Sequence, residues 1–302
     1  MDGKISNLAQ VASVRRYEFT DGREKGLRVI DCDNGKVRFL LNESKALDVM
    51  QVYHKGQNVS FLSKNAFTAR EIGFLNRFEG GMLYTCGLDS VGGRDGFELH
   101  GSFHNNTAEV TLCECTEEEI VVKANIRNTA LFGQNLVIKR TIISKIGSDE
   151  IKIQDLLVNE GYKTEDYCLL YHVNVGYPML DEGCEIILDE ESCIPRTALA
   201  EKEKNERHYI TDAFPEKEET CYFLTLKEPK ARLVNKKLGK EFILSYSKDT
   251  LGNLVEWKSI CSGDYALGLE PCTTLLDDKF KYKKIKAKEE IKFDLSIRVK
   301  EI

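Results

Sequence analysis

Leu136-Val137-Ile138-Lys139-Arg140-Thr141-Ile142-Ile143-Ser144-Lys145 and Ile151-Lys152-Ile153-Gln154-Asp155-Leu156-Leu157-Val158 are the two runs that decide the fold. Both are rich in β-branched side chains and alternate apolar with polar at a period of two, the pattern of a strand with one face buried. Gly147-Ser148-Asp149-Glu150 between them reads as a turn, so residues 136–158 are expected to form an antiparallel hairpin. Strand-like runs recur at 27–33, 36–41, 108–115, 119–126, 167–175, 184–188, 220–227, 241–247, 265–270 and 290–299. Turn signals such as Asp33-Asn34-Gly35, Asn159-Glu160-Gly161, Asp181-Glu182-Gly183 and Leu251-Gly252-Asn253 separate them. Helical periodicity is scarce, and the best helix candidate runs from Glu43 to Tyr53. With no internal repeat to suggest a propeller, the expectation is an all-β chain: one large antiparallel β-sandwich domain spanning 1–302. Residues 189–219, polar and charged, read as a long excursion: either a lid or rim over a site, or a solvated connection.

The composition narrows the function. Net charge is −6 over 302 residues, which argues against non-specific nucleic-acid binding, since that needs a basic face. No apolar stretch is long enough for a membrane helix, and the polar start Met1-Asp2-Gly3-Lys4 does not read as a secretory signal. The ten cysteines show no zinc spacing, and Cys113 and Cys115 would share one strand face. The expectation is therefore a cytoplasmic protein with free thiols, no cofactor and no metal.

Chemistry is concentrated in three polar islands among apolar strands: Leu99-His100-Gly101, Tyr171-His172-Val173-Asn174, and Gly268-Leu269-Glu270-Pro271. In a strand, Leu170, His172 and Asn174 share one face, so two polar side chains project together from an apolar segment. Glu270 ends an apolar run, where burial would raise its pKa towards the range of a general base. An imidazole facing a buried carboxylate is an acid–base pair. Each residue also has a plainer reading, as a satisfied core histidine or a strand-end glutamate. His100 and His104 have a spacing that invites a metal, but the segment has neither helical periodicity nor the glutamate of the helical zinc motif. Trp257 offers an aromatic face for the C–H face of a sugar, or else belongs to the core.

These islands occur in a known order. Gly80-Gly81-Met82-Leu83-Tyr84-Thr85-Cys86-Gly87-Leu88-Asp89, Leu99-His100-Gly101, Leu170 through Pro178, Trp257-Lys258, and Gly263-Asp264-Tyr265 through Glu270-Pro271 together resemble the aldose 1-epimerase, or galactose mutarotase-like, superfamily. Within it the chain is most similar to an uncharacterised branch catalogued as a domain of unknown function. The resemblance implies a twisted β-sandwich with a sugar site on one concave sheet and interconversion of α and β anomers. It implies Glu270 as the base that takes the C1 hydroxyl proton and His172 as the acid that protonates the ring oxygen. His100 would contact the sugar, and Arg77, with Arg70 as a competitor, suits the family's sugar-binding arginine. Read from the residues themselves, His104, Asn174, Trp257 and Lys258 are further binding candidates. The chain departs from the galactose enzymes in lacking a clear match for their hydroxyl-binding aspartate. A lysine in that neighbourhood, Lys258, would favour an acidic or phosphorylated sugar. The alternative is a carbohydrate-binding protein that keeps the pocket without the catalysis. The expected partner is a small-molecule sugar, with no nucleic acid and no membrane.

Overall fold

The computed structural model describes residues 3–302. The decisive hairpin forms as expected: strands Asn135–Lys145 and Glu150–Asn159 pair antiparallel, with Ile142 opposite Ile153. It sits inside a 13-stranded sheet. Four neighbouring strands of that sheet matter most below, in the spatial order Glu165–Gly176, Asp264–Cys272, Asn253–Cys261 and Thr220–Asn235. Leu83–Leu88 adds to the free side of Glu165–Gly176, and Glu185–Pro195 pairs with Thr220–Asn235. A 5-stranded sheet, Ser13–Glu18, Arg28–Asp33, Val37–Asn42, Asp48–His54 and Gln57–Asn58, shares its apolar core with the large sheet. Phe39, Leu41, Val49 and Val52 from the small sheet bury in the same cluster as Ile138, Ile142, Ile153 and Leu295 from the large one. The architecture is the antiparallel β-sandwich that the alternation implied. Among the described residues, no helix is long and apolar enough to cross a membrane.

The inner faces also enclose charge. Arg140 occupies a core-facing position of the decisive strand and is fully buried. It is satisfied from three sides. Asp155 accepts from Nε at 2.9 Å and from Nη2 at 2.7 Å, the Ala46 carbonyl accepts at 3.0 Å, and Asp48 accepts from Nη1. Tyr171 Oη completes the set by donating to Asp155 at 2.8 Å. A buried guanidinium is tolerated only when paired and hydrogen-bonded in this way, and this one joins the two sheets.

Two expectations need correction. Glu43 to Tyr53 is not a helix: Ala46 and Leu47 turn the chain at positive φ, and Asp48–His54 is a strand. Its charges mimic a solvated helix face but are consumed by tertiary pairing, Glu43 with Arg16 and Arg28, and Asp48 with Arg140. Nor is 189–219 a loop throughout. Its first residues complete the edge strand Glu185–Pro195, on which Asp189 and Glu191 are exposed while Glu190 pairs with the buried Arg207, and Ala198–Glu203 is a short helix capped by Thr197. Charge on an edge strand discourages pairing with other chains.

Candidate functional site

Strand alternation builds the site. His172, Glu270, Trp257 and Cys221 come from four adjacent strands, and all line one cavity of about 520 Å³ on the face of the large sheet. Trp257 is cross-strand partner to both Cys221 and Gly268, and Gly268 is partner to Asn174. His100 enters from the loop after Leu83–Leu88, and Phe74 and Phe78 line the cavity with their rings 5.1 Å from His100 and 5.4 Å from His172 respectively.

Gly268 is what lets the pair approach. A Cβ there would lie 2.4 Å from Glu270 Oε1, 3.1 Å from Trp257 Cε3 and 3.2 Å from His172 Cε1. Its missing side chain leaves room for three others to converge. Gly101 does the same for the His100 loop: at φ +77° its Cβ would meet the Ser90 carbonyl at 2.4 Å and Asp89 Oδ1 at 2.5 Å.

His172 Nε2 lies 3.2 Å from Glu270 Oε1, and both side chains are buried. Alignment is short of a hydrogen bond, which leaves Glu270 Oε1 without a partner among the described residues, and the other ring nitrogen, His172 Nδ1, has none either. Burial dominates their electrostatics. It pushes the Glu270 carboxyl well above the usual carboxylate range, with Glu219 adding to the rise and Arg196 opposing it. It pushes the His172 imidazole well below its ordinary value, and His100 adds to the fall. Burial thus favours the neutral form of each group. His100 is pushed down to about 4, by burial first and then by the Arg196 guanidinium. Its Nδ1 accepts from the Gly92 backbone at 3.4 Å, which leaves Nε2–H as a donor. The rings of His100 and His172 are 5.5 Å apart, and Trp257 stands edge-on to His172, also at 5.5 Å.

Of the eight side chains singled out from sequence, His100, His172, Trp257 and Glu270 line the cavity, while Arg77, His104, Asn174 and Lys258 do not. Arg77 is buried against Glu98 at 2.8 Å, with Nη1 donating to the Ile72 carbonyl at 2.7 Å. His104 lies in the core between Asp48 at 2.7 Å and Glu79 at 2.9 Å, stacked on Tyr84. Asn174 faces the cavity side but is covered by the backbone of Gly80, to which its amide donates at 3.3 Å. Lys258 points through the other face of the sheet, where its ammonium donates to the Arg207 carbonyl at 2.8 Å. The cations that do reach the cavity were not anticipated. They are Lys64, 2.6 Å from Asp264, and Arg196, 3.6 Å from Glu219. Arg196 and Glu219 stand near the two ends of the polar excursion, which therefore forms part of the rim.

Comparison with known proteins agrees with this architecture. The family model described as "Domain of unknown function (DUF4432)" matches residues 24–298. No curated protein matches the sequence. A Klebsiella pneumoniae protein provisionally named an aldose 1-epimerase superposes with a TM-score of 0.87 at 18% identity, over 97% of this chain and 86% of that one. A galactose mutarotase-like protein from Clostridium acetobutylicum gives 0.75 at 13% identity, over 97% of this chain and 100% of that one. Another from Lactobacillus casei gives 0.63 at 14%, over 90% and 100% respectively. Identities this low speak for the fold and leave the activity to the site. The chain belongs to the DUF4432 family and has the galactose mutarotase-like β-sandwich fold.

Proposed function

We propose that this protein interconverts the anomers of an aldose, with Glu270 and His172 as its acid–base pair. The observation that carries the reading is the 3.2 Å approach of two buried, unhydrogen-bonded groups at the floor of an aromatic-walled cavity. Anomerisation needs one proton removed from the C1 hydroxyl and one delivered to the ring oxygen. Both oxygens sit on the same carbon, so acid and base must be close neighbours, as these are. In the neutral form that burial favours, the pair carries one proton to relay, on the Glu270 carboxyl. Its transfer from the Glu270 carboxyl to His172 yields a carboxylate and an imidazolium. The carboxylate then takes the C1 hydroxyl proton while the imidazolium gives one to the ring oxygen. The C1–O5 bond breaks as the C1 carbonyl forms. After rotation the steps reverse, and the pair is restored with its proton count unchanged. Desolvation makes the charged form costly at rest, so hydroxyls of a bound sugar supply the hydrogen bonds that it lacks. His100 Nε2–H is placed to hold a sugar oxygen, and Trp257 offers a stacking face.

Polarimetry on freshly dissolved anomers tests this. A panel of aldoses is followed with wild-type protein and with Glu270→Gln. Equilibration of at least one sugar faster than in buffer, abolished by the substitution, is the expected result. No acceleration with any sugar that binds would reduce the protein to a non-catalytic carbohydrate binder.

A further inference from the structure

The charge of the ligand can be read from the cavity rim, and the inference rests on the sugar reading above. Among the described residues, each cation that lines the cavity faces a carboxylate of the same rim, Arg196 with Glu219 at 3.6 Å and Lys64 with Asp264 at 2.6 Å. A sugar bearing a carboxylate or phosphate would approach either cation against the carboxylate beside it, a built-in repulsion. Glu219 does more than neutralise. Its Oε2 accepts from Trp257 Nε1 at 2.7 Å, which fixes the indole edge-on beside His172. Its side chain is 53% exposed, and an ionised carboxylate only accepts hydrogen bonds. This half-exposed carboxylate lines the cavity and keeps acceptor capacity beyond the indole contact. Hydroxyl groups donate to such a site; anionic oxygens cannot.

We propose that Glu219 makes the cavity selective for neutral sugars, by holding Trp257 as the stacking wall, accepting from sugar hydroxyls, and keeping Arg196 from anionic ones. This reverses the preference that Lys258 suggested from sequence, because that ammonium lies on the far face of the sheet.

Trp257 is the only tryptophan, so its emission reports this wall directly. The experiment titrates the protein with D-glucose, D-galactose and D-xylose, and with D-glucuronate, D-galacturonate and glucose 6-phosphate, following Trp257 fluorescence. At least one neutral sugar should shift the emission, with its acidic counterpart about tenfold or more weaker, the scale of one charged hydrogen bond. Glu219→Gln keeps an acceptor for the indole but frees Arg196. It should weaken the neutral sugar by about tenfold and tighten the acidic one, and Arg196→Gln in the same chain should remove that gain. Emission of the unliganded Glu219→Gln protein close to that of wild type shows that the wall is intact. If wild type binds the uronates or the phosphate as tightly as the neutral sugars, or Glu219→Gln leaves their ratio unchanged, the charge selectivity is refuted while the sugar site stands. If no sugar of either class moves the emission or the melting temperature, the sugar reading itself falls, and the selectivity with it.

Discussion

Replacing Gly268 by alanine should separate catalysis from folding. The added methyl would start 2.4 Å from Glu270 Oε1, where ordinary van der Waals contact begins near 3.4 Å. The carboxyl must therefore retreat by about 1 Å, and displacements of that order cost roughly 10²-fold in rate by spoiling the reactive alignment. His172 Cε1 and Trp257 Cε3, at 3.2 and 3.1 Å, need give by only a few tenths of an ångström, so Glu270 takes most of the movement. The substitution introduces no positive-φ penalty, because Gly268 is not among the glycines in the left-handed region. Overpacking of one methyl in a confined site costs about 1–3 kcal/mol, a loss of stability that leaves a folded protein. The assay is anomer equilibration by polarimetry on the sugar that shifts Trp257 emission, run beside thermal denaturation. A folded Gly268→Ala protein that equilibrates that sugar at the wild-type rate would refute the idea that the floor of this cavity does the chemistry.

Glu270→Gln and His172→Asn should each lower kcat by roughly 10²-fold or more, and the double substitution should cost little beyond either alone, since both serve one ring-opening event; additive losses measured in the same polarimetric assay would contradict a shared role. His104 is held above its ordinary value by Glu79 and Asp48 despite burial, so its contribution to stability is complete below pH 6.5, the unfolded value, and is lost as pH rises through the higher folded value. The stability gap between wild type and His104→Gln, read from denaturant midpoints, should therefore narrow from pH 6 towards alkaline pH, and a gap that widens would overturn the assignment. Arg140→Met leaves Asp48 and Asp155 buried without their cation and should cost about 3–5 kcal/mol; chemical denaturation showing less than about 1 kcal/mol would mean that the network does not join the sheets.

Strand periodicity carried most of the fold and part of the site, and the places where it failed share a cause. Alternation along 136–158 is a local property, so the hairpin and its neighbours could be read directly, as could the projection of His172 from an apolar strand. The same rule was available at Trp257-Lys258: adjacent residues of a strand leave by opposite faces, so only one of them can enter the cavity. Resemblance placed both there, and the alternation separates them. Asn174 shows that alternation alone is also insufficient, since it sits on the correct face and is still covered by Gly80 from the Phe61–Leu62 and Gly80–Gly81 ribbon. Arg77 and His104 could not be resolved locally. Each is turned by a carboxylate distant in sequence, Glu98 in one case and Asp48 with Glu79 in the other. Asp48 disguised itself twice, as a helix-face charge in its own segment and as the hidden partner of Arg140 and His104. Arg196 and Glu219 lie within a charged segment where no periodicity marks either one. They reach the cavity because Thr220–Asn235 lies beside the Trp257 strand and carries Glu219 to the indole nitrogen. The catalytic candidates were thus legible because a buried polar group stands out against its own strand, whereas the groups at the rim become visible only once the strands are assembled.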